Sequence, residues 1–183
     1  MGGFLMTYLT EVQEAMRMLA DDPRTLFVGQ AVRYSGQAMH QTLVHVPMEK
    51  RIEMPVIEDF QAGFCTGLAL EGYIPVCIFP RFDFLLCAAN QIVNHLDKIP
   101  LMTDFRPKVI LRTSVGATQP LNPGLQHCQN HTYAFRNMLK SIRVVDIDAP
   151  YGIVKQYQVA LTAPASFLMV EHGRLYMDTQ PDA

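Results

Sequence analysis

Glu58 and Asp59 stand side by side in "PVIEDFQAGFCTGLAL" (55–70), where a proline-led extended run gives way to an apolar, glycine-spaced helix. Two influences act on a carboxylate placed there. The amide end of a helix favours its charged form, and burial beside Ile57 and Phe60 would favour the protonated one. Asp59 is the more natural cap. On one reading both acids are helix-start residues. On the other, Glu58 points into a crevice and shares a proton with a ligand nitrogen. Further on, "FPRFDF" (79–84) sets Phe79, Phe82 and Phe84 around a stiff Pro80. Such rings either fill a core or form a stacking wall for a flat heterocycle. His127 follows the loop "GATQPLNPG" (116–124). An imidazole titrates near working pH, so beside a crevice it can act as a general acid or base; elsewhere it is a surface residue.

Other chemistries find less support. Cys65, Cys77, Cys87 and Cys128 include no pair at two-residue spacing, so neither a zinc knuckle nor a redox motif is read. His127-Cys128-Gln129-Asn130-His131 holds ligand-type residues, but no second cluster completes a site, and no metal is assigned. Gly63, Gly67 and Gly72 lack the lysine of a P-loop and the spacing of a dinucleotide fingerprint. Gly63 and Gly67, four apart on one helix, suit either helix–sheet packing or a subunit contact.

These residues need a frame. The chain has 183 residues, 49% hydrophobic and 17% charged, with a net charge of -2. That suits one ordinary domain, here taken as 1–183 with a core of about 8–176. The composition excludes disorder, and the absence of a basic field argues against nucleic acid. It is apolar enough to suggest surface covered by a partner. With no transmembrane-length run and no signal-peptide pattern, a cytoplasmic location is expected. Apolar runs at 25–29, 51–56, 73–79, 108–113, 142–147 and 166–172 read as strands. Helices are predicted around 10–19, with a Thr10/Gln13 capping box, and at 38–46, 59–72, 82–97, 131–140 and 151–161. The ends, "MGGFLM" and "MDTQPDA", read as loose. Alternating strands and helices predict an α/β fold: a doubly wound, mainly parallel sheet with helices on both faces. Ligands of such sheets sit at the carboxyl ends of the strands. Glu58, the 79–84 loop and the 113–128 loop would converge there.

The run "MPVIEDFQAGFCTGLALEGYIPVCIFPRFDFLLCAANQIVNHLDKI" (54–99) resembles the pyrimidine-binding domain of thiamine diphosphate enzymes. It is most like the beta subunit of the 2-oxo-acid dehydrogenase decarboxylating component. The likeness extends to "DPRTLFVGQAV" (22–32), "VILRTSVGA" (109–117), "GLQHCQ" (124–129) and "IRVVDIDAPY" (142–151). It implies thiamine diphosphate as cofactor. Glu58 would bond N1' of the aminopyrimidine and favour the tautomer that takes the thiazolium proton, which calls for a dry pocket. Phe84 would pack on the ring with Phe82 beside it, and His127 would face substrate. The reaction implied is decarboxylation of a 2-oxo acid, or acyl or ketol transfer.

The chain departs from the family pattern in several places. It ends where the beta subunits continue into a further domain, and it contains no Gly-Asp-Gly motif to hold Mg2+ and the diphosphate. The expectation is half of a split enzyme that is inactive alone, joined to a diphosphate-binding, alpha-type subunit that holds the magnesium, and also self-associating. Gln30 and Ala31 stand where acids are usual, Asn90 replaces a frequent Asp, and Ala163 in "ALTAPA" (160–165) replaces the Asp of a potassium loop. Pro80 and Cys87 also differ from frequent cofactor-facing residues. Two alternatives stay open. One is a transketolase-like enzyme on sugar-type substrates, with Arg81 and Arg112 as the candidate cations. The other is a non-catalytic scaffold.

Overall fold

The apolar runs become strands β1 (Thr25–Gly29), β2 (Arg51–Glu53), β3 (Ile74–Phe79), β4 (Ile110–Val115), β5 (Arg143–Ile147) and β6 (Phe167–His172). They form one wholly parallel sheet in the order β2-β1-β3-β4-β6-β5. The computed structural model describes residues 7–119 and 121–177; the ends that read as loose fall, apart from Met177, outside the described residues. Successive side chains of β3 enter opposite layers: Val76 and Ile78 join one apolar cluster, Cys77 and Phe79 the other. Because both faces are covered, the strand is continuously apolar rather than alternating.

Helices α1 (Tyr8–Asp21), α2 (Ala38–Gln41) and α7 (Ile153–Thr162) cover one face. Helices α3 (Glu58–Leu70), α4 (Phe82–Leu85) and α6 (Thr132–Met138) cover the other, with α5 (Ile99–Met102) at its border. The capping box at the start of α1 is Thr7 with Thr10, not Thr10 with Gln13. The predicted 38–46 helix stops at Gln41. Carbonyls of Leu43 and Val46 turn instead to the buried Arg51 guanidinium, which donates to both and to Val32. Strand β2 ends at Glu53 rather than Val56, since Pro55 has no N–H to offer a ladder. The predicted 82–97 helix breaks into α4, a 3-10 turn at Leu86–Ala88 and a π turn at Gln91–Leu96. That wide turn delivers Asp97, whose carboxylate accepts the amides of Lys140, Ser141 and Ile142 ahead of β5.

Arg112 is not at the crevice. It is fully buried on β4 and pairs with Glu171 of β6, Nε to Oε1 at 2.6 Å and Nη2 to Oε2 at 2.8 Å. Tyr157 and Tyr176 donate their hydroxyls to the same carboxylate, and Arg112 also donates to Thr42 Oγ1. Burial opposes the arginine's charge, yet Glu171 keeps its pKa above the ordinary value. Burial, reinforced by Glu171, pushes the Tyr157 and Tyr176 hydroxyls up.

From β1 the chain moves outward to β2, then crosses back to β3 on the other side of β1. Such a reversal opens a crevice at the strands' carboxyl ends. Gly29 permits it: a Cβ there would lie 2.2 Å from the Ile78 carbonyl oxygen.

Candidate functional site

Glu58 is the first residue of α3, at this crevice. Neither acid caps the helix. Ile57 holds the N-cap position without a side-chain bond, and Asp59 Oδ2 accepts from Gln91 Nε2 at 3.4 Å. Glu58 Oε1 accepts from Gln30 Nε2 at 3.1 Å. Gln30, at the end of β1, is buried.

The turn after Gln30 is shaped by Glu53. Ala31 adopts a left-handed φ of 56°, a conformation that costs a non-glycine residue free energy. The Glu53 carboxylate compensates by accepting the consecutive amides of Ala31, Val32 and Arg33 at 2.7, 2.9 and 2.8 Å. Sequence reading missed Glu53. The available signal was an acid at a strand end, one residue before Met54-Pro55.

Gln30, Met54, Val56, Glu58, Pro80, Phe84 and Cys87 line an open groove of about 630 Å³. Its walls are mostly apolar, with the Glu58 and Glu53 carboxylates on one side. Phe84 is half-buried, and its ring meets that of His127 edge-on, 5.6 Å between centroids and 73° between planes. His127 Nδ1 is buried with no hydrogen-bond partner among the described residues. Gly116 lies tight against the His127 main chain: a Cβ on it would be 2.0 Å from the His127 carbonyl oxygen, so only glycine fits.

Phe82 does not join this wall. It is fully buried, 5.5 Å from both the Phe135 and His131 rings. The helical spacing of α4 turns it inward while Phe84 turns out. His131 therefore serves a different ring from His127, with Nε2 3.9 Å from Asp83 Oδ1. The expected neighbours of Glu58 are also displaced: Ile57 is 54% and Phe60 56% exposed, so they do not bury it from within. Gly67 faces open space, which removes helix–sheet packing as its reason.

No family model matches the chain. It is 30% identical over 162 residues to the pyruvate dehydrogenase E1 component subunit beta of Rickettsia felis, covering 83% of this chain and 48% of that protein. It is 26% identical over 178 residues to the 2-oxoisovalerate dehydrogenase subunit beta of Bacillus subtilis, covering 94% of this chain and 54% of that one. The chain thus spans about half the length of these relatives. Among solved structures, a split-gene transketolase chain described as an inactive beta4 tetramer matches in fold, with a TM-score of 0.69 and 15% identity over 92% of this chain and 52% of that one. The chain is thus similar in sequence to beta subunits of the pyruvate and 2-oxoisovalerate dehydrogenases and shares its α/β fold with the split-gene transketolase chain.

Proposed function

We propose that the chain is one subunit of a split thiamine diphosphate enzyme and binds the cofactor's aminopyrimidine in the groove at Glu58. The observation that carries this reading is a convergence. Glu58 and Phe84 line one groove at the sheet's switch point, and His127 abuts Phe84. The donor set fits the ring: a carboxylate to hold a proton at a ring nitrogen, apolar walls from Met54 and Val56, and an aromatic face from Phe84. Thiamine diphosphate supplies, when bound, a carbon nucleophile and an electron sink for cleavage beside a carbonyl. Glu58 holds the proton at the ring nitrogen, with Gln30 fixing its carboxylate; Phe84 packs on the ring. His127 faces substrate as an acid or base.

A diphosphate-binding, alpha-type chain supplies the magnesium site, since this sequence holds no Gly-Asp-Gly motif. Self-association belongs to the same reading, in keeping with the tetramer described for the split-gene transketolase chain. The reaction is decarboxylation of a 2-oxo acid or transfer of an acyl or ketol unit, the first favoured by the relatives' names.

The test is capture of the tagged chain's partners from its source lysate, with thiamine diphosphate and magnesium present. A partner carrying Gly-Asp-Gly with a downstream Asn is expected, and the pair should bind the cofactor where neither chain does alone. Partners without that motif, and no cofactor binding by the assembled complex, would refute the reading.

A further inference from the structure

A second, smaller cavity of about 190 Å³ opens beside the groove at the carboxyl ends of β3 and β4. Gly36, Gln37 and Pro80 line both spaces, so the two adjoin. We propose that Arg81 and this side cavity receive the anionic end of the substrate, a carboxylate or a phosphate. The inference rests on the cofactor reading of the adjoining groove.

Arg81 follows Pro80 directly and lines the side cavity. Among the described residues it pairs with no carboxylate. It donates a long hydrogen bond, 3.4 Å from Nη1 to the His127 carbonyl. A guanidinium offers five N–H donors, so most of its fork is free for a bidentate oxyanion. The chain's buried arginines are committed elsewhere: Arg112 to Glu171, Arg51 to main-chain carbonyls.

The walls agree in sign. Among the described residues no acid lines the side cavity, where Arg81 is joined by neutral groups such as Ser114, Gln37 and Gly116. Ser114 donates its hydroxyl to the Pro80 carbonyl at 3.0 Å and so fixes the turn that carries Arg81. Size agrees as well. Liquid water occupies about 30 Å³ per molecule, so the space has room for a carboxylate or phosphate with the first atoms of its chain. His127 ties the two spaces together. Its carbonyl meets Arg81, and its ring meets Phe84. An anion held by Arg81 would leave the neighbouring carbonyl carbon towards the larger groove, on the side of His127.

The test is nuclear magnetic resonance on the full, nitrogen-15-labelled chain, following the Arg81 Nε–H and Gly116 amide signals. The probes are pyruvate, inorganic phosphate and uncharged methyl pyruvate, each up to tens of millimolar. Saturable shifts with the anions but not the ester are expected. Read at the Gly116 amide, Arg81→Gln should weaken anion binding about tenfold or more, and Arg81→Lys should retain part. Tighter binding of pyruvate assigns a carboxylate; tighter binding of phosphate assigns a phosphate. Absent shifts, or shifts unchanged in Arg81→Gln, overturn the proposal. A parallel titration of thiamine diphosphate with magnesium into the complex with the diphosphate-binding partner keeps the two readings apart. Cofactor binding by that complex without anion shifts overturns the Arg81 assignment alone. Anion shifts at Arg81 with no cofactor binding by the complex leave that assignment standing and fault the cofactor reading.

Discussion

Glu58→Gln separates a catalytic acid from a helix-start residue, because the two roles predict losses of very different size. The substitution keeps shape and removes charge. Its cost to folding has two parts. Removing a negative charge from the first turn of α3 costs about 0.3–1 kcal/mol. The bond from Gln30 Nε2 becomes a neutral one, a loss of about 0.5–1 kcal/mol at a half-exposed site. Together they amount to about 1–2 kcal/mol, or a melting point lower by about 2–8 °C for a chain of this size. The cost to turnover is set by proton transfer at the ring nitrogen. An amide cannot share that proton, and loss of a positioned acid or base lowers rates about 10²- to 10⁴-fold. The assay is cofactor-dependent turnover of 2-oxo acid by the complex assembled with the diphosphate-binding partner, read beside a thermal melt of the variant. A variant that melts a few degrees early but turns over within a few-fold of wild type would refute the role given to Glu58. It would move the scaffold reading forward.

Phe82 and Phe84 should divide function from stability. Phe82→Ala opens a hole in the core and is expected to cost about 3–5 kcal/mol in urea unfolding, whereas Phe84→Ala should leave the midpoint nearly unchanged and weaken thiamine binding. Glu171→Gln strands the buried Arg112 and should cost about 3–5 kcal/mol, measured by urea unfolding; pairing it with Arg112→Met should recover much of the loss. Asp97 gives a pH dependence. Burial acts to raise its pKa, but Lys98 and the amides of Ile142, Ser141 and Lys140 outweigh burial and hold it below the ordinary value. The folded value is therefore the lower one. The stabilisation is complete above the unfolded pKa of about 3.9 and is lost as pH falls through the folded value. Asp97→Asn should lower stability by about 2–3 kcal/mol near neutral pH and flatten the acid limb of the stability curve.

The strands were readable because burial on both faces leaves runs such as "IPVCIF" with no polar member. Helices were readable where an apolar face repeats, as in α1 and α7. What could not be read were elements ended by distant groups. Nothing local shows that Arg51 draws off the carbonyls of Leu43 and Val46, or that Asp97 is claimed by amides more than forty residues away. The site divides in the same way. Glu58 at a strand-to-helix junction was legible, as was the aromatic segment after β3, of which only Phe84 lines the groove. Which ring faces the groove was not, because Phe82 and Phe84 differ only by their turn on a four-residue helix. Glu53 was missed because its partners are main-chain amides, which leave no mark on side-chain pattern.

One expectation fails in direction, and it bears on the assembly. A carboxylate that shares a proton with a weakly basic ring needs surroundings from which water is excluded. Sequence placed apolar residues around Glu58 and suggested that they supply this. In the fold they turn away: Ile57 is 54% and Phe60 56% exposed, and Phe60 stacks on Phe64. Neither lines the groove, and Val56, which does, is 75% exposed at its rim. On the proposed reading, dryness at Glu58 is then supplied by whatever covers the rim. The same side chains that leave the lone chain's carboxylate wet offer a subunit an apolar edge directly beside it. Activation of the cofactor and assembly of the complex become one event, which is why a chain carrying Glu58, Phe84 and His127 is expected to be inactive by itself.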